Sequence, residues 1–161
     1  MTPTLAHPNQ TGKRGRGTEK TSALAAVSLT EQGHPRFFQI QVSKLDAAAV
    51  GAFAQRTVRP GSEIHSDALG SFRAALREGY VHHYQVFDKD SGALRWVHIL
   101  ISNMKVFLLG TYHGLGKKHL QSYFDEFSFR FNRRFWPDQL FPRLVCAVAT
   151  SYILGYVDLT R

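Results

Sequence analysis

The stretch from Lys117 to about Phe135 constrains the fold most. Leu120, Tyr123 or Phe124, Phe127 and Phe131 recur at the 3.6-residue spacing of a helix with one apolar side. Gln121, Asp125, Ser128 and Asn132 fall on another side, and Pro137 stops the run. A helix with that many aromatics must lay them on a core. The chain can supply one: 43% of its 161 residues are hydrophobic and twelve are Phe, which favours one folded domain over disorder. Leu140 to Tyr152 is a second apolar helix candidate, expected to pack against the first.

Upstream the period changes to two. Arg36 to Ser43 alternates, with Phe38, Ile40 and Val42 on one side. Thr21 to Leu29 is short, small and apolar. Glu31-Gln32-Gly33-His34-Pro35 between them has turn chemistry, so the two runs predict an antiparallel hairpin. Asp46 is placed to cap a helix from Ala47 to roughly Thr57, with Val50, Phe53 and Ala54 inward and Arg59-Pro60-Gly61 ending it. A short strand over Glu63 to Asp67 and a helix over Ser71 to Arg77 follow, the helix with Phe72, Ala75 and Leu76 inward. Tyr80 to Phe87 reads as a strand weakened by His82 and His83, and Asp88 to Gly92 as a loop. His98 to Leu109 is apolar, and its period leaves strand and helix open. The order predicts an α/β fold, a mixed sheet flanked by helices. No glycine-rich phosphate loop follows a strand, so a nucleotide-binding fold is not indicated.

Twenty Lys and Arg against twelve Asp and Glu give a net charge of +8. Such a surface draws polyanions, nucleic acid first and anionic membrane second. Residues 1–20 read as a separate basic arm, with Lys13, Arg14 and Arg16 either touching phosphate or simply solvated, and residues 21–161 as the folded domain. The single cysteine, Cys146, cannot form an internal disulfide and sits in an apolar run, which assigns it to the core. No run reaches the ~18 apolar residues of a membrane span, and the N-terminus has no apolar signal core.

Several side chains suit phosphodiester chemistry, each with a plainer alternative. Asp67 closes the Glu63 strand, where a carboxylate can point oxygen at a hard cation; it equally suits a turn or a helix cap. Asn103 lies in an apolar stretch, as a metal-ligating amide or one bonded to backbone. Lys105, two residues on, either faces a phosphate or lies at the surface. His65, His98, His113 and His119 are scattered, and each is read as a structural or DNA-facing ring before a metal ligand. The long helix begins with Lys117, Lys118 and His119 and ends with Arg130, Arg133 and Arg134, positions open to phosphate contact; arginines at a helix C-terminus also suit the dipole.

Gly110-Thr111-Tyr112-His113, Lys117-Lys118-His119-Leu120, Tyr123, Glu126-Phe127 and Phe129-Arg130-Phe131-Asn132-Arg133-Arg134 together resemble the signature of one group of insertion-sequence transposases, the ISXO type. Lys13-Arg14-Gly15-Arg16-Gly17, Pro60-Gly61 and His65-Ser66-Asp67 extend the resemblance, which covers roughly residues 12 to 160. It implies an RNase-H-like domain with an Asp-Asp-Asn or Asp-Asp-Glu site, using Mg²⁺ or Mn²⁺ to cut and join DNA. Asp67 matches the second metal-binding aspartate, Asn103 the third position, and Lys105 the nearby basic role. DNA is the implied partner, in a bacterial cytoplasm, and the joining of two DNA ends implies a homodimer.

The departure lies upstream. In the family the first catalytic aspartate stands on a central strand ahead of the basic glycine-rich segment. Here residues 1–11 contain neither Asp nor Glu, and Asp46 opens a helix instead. The expectation is therefore a transposase domain truncated at its N-terminus, lacking the first strand, with impaired chemistry; a misassigned start would leave the same gap. An inactive DNA-binding remnant and an unstable product are the competing readings.

Overall fold

A computed structural model describes residues 4–5, 21–77, 79–85, 94–112, 115–152, 155 and 157. Lys13, Arg14 and Arg16 of the arm, His113 and the expected loop at Asp88 to Gly92 lie outside the described residues.

The predicted hairpin forms as β2 (Thr21–Leu29) and β3 (Pro35–Val42), paired antiparallel from Ala23↔Val42 to Leu29↔Pro35. Its turn closes because Gly33 takes φ 76°, a conformation open to glycine, while the Thr30 N–H donates to His34 O at 2.8 Å. The turn is also tied to a later helix: Trp96 Nε1 donates to Gly33 O at 2.8 Å. The sequence places no strand ahead of Thr21. The structure adds one, β1 (Thr4–Leu5), paired antiparallel with Ser22 and Thr21.

Helix α1 (Ala47–Thr57) starts where expected, because Asp46 Oδ1 accepts the Ala49 N–H at 2.8 Å. Strand β4 (Glu63–Asp67) and a short helix α2 (Gly70–Ala75) follow. Strand β5 (Val81–Gln85) pairs parallel with β4, residue for residue from Glu63↔Val81 to Asp67↔Gln85. The stretch left open between strand and helix is the helix α3 (Arg95–Thr111), whose Leu100, Ile101, Met104 and Leu108 recur at helical spacing and are buried. A 3₁₀ turn at Lys117–His119 leads into α4 (Leu120–Asn132), and a second at Pro137–Gln139 into α5 (Leu140–Thr150).

Alternation along β2 divides the core in two. Ala23, with Phe38 and Ile40 of β3, is buried against Leu100, Met104 and Leu108 of α3 and Leu120 and Phe124 of α4. Leu24 points the other way, into Val50, Phe53 and Ala54 of α1 and Leu76 after α2. The hairpin is thus the middle of three layers.

Three expectations change. Among the described residues the single mixed sheet is two sheets, β1-β2-β3 antiparallel and β4-β5 parallel, because no strand there joins them. Helix α5 contributes no buried residue: the other helices already cover both faces of the hairpin, so α5 has no core surface to complete. Cys146 is consequently exposed rather than core.

The outer edge of β3 is closed by side chains of α4. Asn132 accepts the Phe38 N–H at 2.7 Å and donates to Phe38 O at 2.9 Å. Gln121 accepts the Val42 N–H at 2.7 Å and donates to Ile40 O at 3.1 Å. Replacing Asn132 by Ala strands both partners on Phe38, at a cost of about 1–3 kcal/mol each before relaxation. Asn132→Ala is therefore expected to lower the urea midpoint clearly, and Asn132→Asp, which keeps only the acceptor, to fall in between; denaturation followed by circular dichroism measures both.

Candidate nucleic-acid interface

Asp67 stands at the C-terminal end of β4, partly buried. Its Oδ1 accepts the Leu69 N–H at 3.3 Å, so the carboxylate also helps turn the chain into α2. His98, from the first turns of α3, lies in its field. Burial pulls the His98 pKa below its ordinary value, and the Asp67 charge pulls against it.

Helical geometry decides which other α3 residues lie on the His98 side. At ~100° per residue, Lys105 lies about 20° from His98 around the axis and Asn103 about 140°. Lys105 is half-buried, whereas Asn103 is exposed rather than the buried amide its apolar neighbours suggest. The helix thus places Lys105 on the His98 side and Asn103 on another. Among the described residues no three His, Cys, Asp or Glu side chains converge to hold a metal ion.

The strand pair carries a cluster that the sequence left scattered. Parallel register sets His65 opposite His83, and their rings stack at 5.1 Å. Both Nε2 atoms approach Glu63 Oε1, at 3.0 and 3.4 Å, in an exposed group. His82 points to the other side, where its Nε2 lies 2.8 Å from Ser66 Oγ, a hydroxyl that itself donates to Asp67 O at 2.8 Å. Burial lowers the His82 pKa, and the neighbouring His83 and His65 lower it further. His82 thus ties β5 to the residue beside Asp67. It registered in the sequence only as a break in the strand pattern.

The basic residues divide into two sets. Lys117, Lys118 and His119 are exposed at the start of α4. The arginines at its other end are engaged by neighbouring side chains and carbonyls, Arg130 at the surface and Arg133 and Arg134 half-buried. Arg130 pairs with Glu126 at 2.9 Å, and Glu126 accepts the Tyr112 hydroxyl at 2.7 Å, a bond that raises the Tyr112 pKa. Arg133 stacks 3.7 Å over Phe129. Arg134 stacks over Phe131 at 3.7 Å, donates to Phe131 O at 2.7 Å and reaches the Pro35 and Arg36 carbonyls at the hairpin turn.

These features describe a basic α/β domain with a carboxylate at a parallel strand end and an exposed cationic turn. Residues 3–132 match the ISXO2-like transposase domain, and the chain belongs to that family. Membership places it in DNA transposition, with DNA as its partner. The match starts within the basic arm, ahead of Lys13, and ends with α4, so α5 lies beyond it. No curated protein and no solved structure matches the chain. Among the described residues no helix is long and apolar enough to cross a membrane.

The His82 environment has a pH consequence. Its pKa is depressed below 6.5 in the fold, so folding favours the neutral ring. That stability is complete above the unfolded value and is lost as pH falls through it towards the folded one. Lowering the pH from about 7.5 to about 5.5 brackets the ordinary histidine range. The wild-type Tm is expected to fall over that interval, and less steeply in His82→Gln.

Proposed function

We propose that this chain is the strand-cutting and strand-joining domain of an insertion-sequence transposase, RNase-H-like in plan, whose metal-dependent chemistry is impaired in the chain as it stands. The observation that carries the reading is Asp67 at the end of a parallel strand, within the family match. The succession of antiparallel hairpin, helix and parallel strand pair suits an RNase-H-like plan.

Mg²⁺ or Mn²⁺ is the cofactor this reading calls for. The described residues offer Asp67 at the strand end, while Asn103 lies on a different side of α3. The matched segment ahead of Lys20 contains one acid, Glu19, beyond the basic run. Among the described residues no further carboxylate joins Asp67 to hold a metal pair, and cleavage is the property such a gap affects first. DNA contact does not depend on that centre. Lys117, Lys118 and His119 are exposed for it, and Lys13, Arg14 and Arg16 add charge from the arm. The same observation favours a second reading, a DNA-binding transposase remnant without catalysis.

Nicking of DNA bearing the element's ends, with Mg²⁺ or Mn²⁺, separates these outcomes. The chain and its Asp67→Ala variant are expected to bind DNA alike and to nick weakly or not at all. Strong nicking lost in Asp67→Ala would refute the impairment, and failure of both proteins to bind DNA would refute the reading as a whole.

The cationic turn is testable by itself. Lys117→Ala with Lys118→Ala is expected to weaken binding to all DNA sequences evenly and to reduce the salt slope by about 2. The fold should be retained by circular dichroism, because both side chains are exposed.

A further inference from the structure

Alternation along β4 and the register of β5 bring two imidazoles and a carboxylate to one surface. Glu63 and His65 share a side of β4, because Ile64 and Ser66 turn the other way. Parallel pairing sets His83 beside His65, and the two rings stack 5.1 Å apart and 22° from parallel. Both Nε2 atoms are aimed at one point, where Glu63 Oε1 stands at 3.0 and 3.4 Å. The His65 and His83 side chains are 63 and 52% exposed, so neither ring serves the core. Exposed pairs of this kind contribute little to stability, and the fold alone does not account for the arrangement.

We propose that His65 and His83 form a two-imidazole site for a divalent transition ion of the Zn²⁺ class, with water completing the coordination and Glu63 beside it. Imidazole nitrogen suits Zn²⁺, Cu²⁺ and Ni²⁺, whereas Mg²⁺ takes oxygen. A Zn–N bond of about 2.0–2.1 Å requires each ring to close by about 1 Å on the point the carboxylate oxygen now holds. Their exposure leaves both rings room to do so. Glu63 then turns to accept a hydrogen bond from a metal-bound water, and its charge offsets part of the ion's. On a chain of net charge +8, that local carboxylate is what favours a cation at this surface. The two ligands come from different strands, so the ion fastens β5 to β4, the strand that ends in Asp67. Only the folded register brings the rings together, and the ion therefore stabilises the fold by mass action.

The test is Zn²⁺ uptake by the full, untagged chain in excess Mg²⁺ and without DNA, followed by titration calorimetry and by Tm. The absence of DNA makes the outcome independent of the transposase reading. The expected result is saturable uptake and a Tm that rises with Zn²⁺ concentration. His65→Ala with His83→Ala is expected to lose both effects, and His119→Ala to keep them. The replaced rings are exposed, so circular dichroism of the variants should match wild type. In the wild-type chain the imidazole NMR signals of His65 and His83 should shift together on adding Zn²⁺, a readout that needs no variant to fold. A wild-type chain that takes up no Zn²⁺ overturns the proposal. So does uptake undiminished in the double variant, or signal shifts confined to other histidines.

Discussion

The fold depends on two amide side chains placed eleven residues apart on α4. Gln121 and Asn132 return to the same side of the helix after three turns, about 16 Å along its axis. The backbone groups they satisfy, from Phe38 to Val42, span about 13 Å of strand. Helix rise and strand rise therefore agree closely enough for one helix to serve both ends of β3. A bare strand edge invites pairing with other chains, and here the helix takes the place of a neighbouring strand. The aromatic stripe follows from that seating: Phe38 meets Phe127 and Phe131 edge-on, at 5.8 and 6.2 Å.

The family signature takes on a different meaning in this light. Its polar residues look, in the sequence, like a set of phosphate ligands. In the fold, Tyr112 and Arg130 meet on Glu126, Asn132 holds β3, and Arg134 holds the hairpin turn. Arg134 is half-buried, and its contacts with Phe131 and with the Pro35 and Arg36 carbonyls make it part of the scaffold. Much of the motif's spacing is accounted for by the demands of joining α3, α4 and the hairpin. The lysines of the 3₁₀ turn, by contrast, are exposed.

The legible parts of the structure were those with a local cause. The hairpin, the Asp46 cap, β4 and the core of α4 follow from period, turn chemistry and capping within a few residues. The α3 stretch was undecidable because an apolar run suits a buried strand as well as a helix; only its packing on Ala23 and Phe38 resolves it. The exposure of Asn103 was hidden for the same reason, since it depends on which side of a helix the residue occupies. The division into two sheets and the solvent-facing α5 depend on which surfaces other elements have already filled. His82 and Gln121 were hidden because their partners lie 16 and 79 residues away. A Gln and an Asn flanking an aromatic stripe at three-turn spacing was the one available hint of the clamp.

The distance along the chain between Phe38 and Asn132, 94 residues, also sets an order of events. During synthesis β3 emerges long before the helix that closes it. At 5–20 residues per second, its outer edge waits on the order of 5–20 s for α4. Over that interval the nascent hairpin presents unpaired amides and carbonyls beside Phe38 and Ile40, the composition of a segment prone to intermolecular pairing. The clamp is therefore a late step in maturation, and the window before it closes is when the young chain most needs shielding.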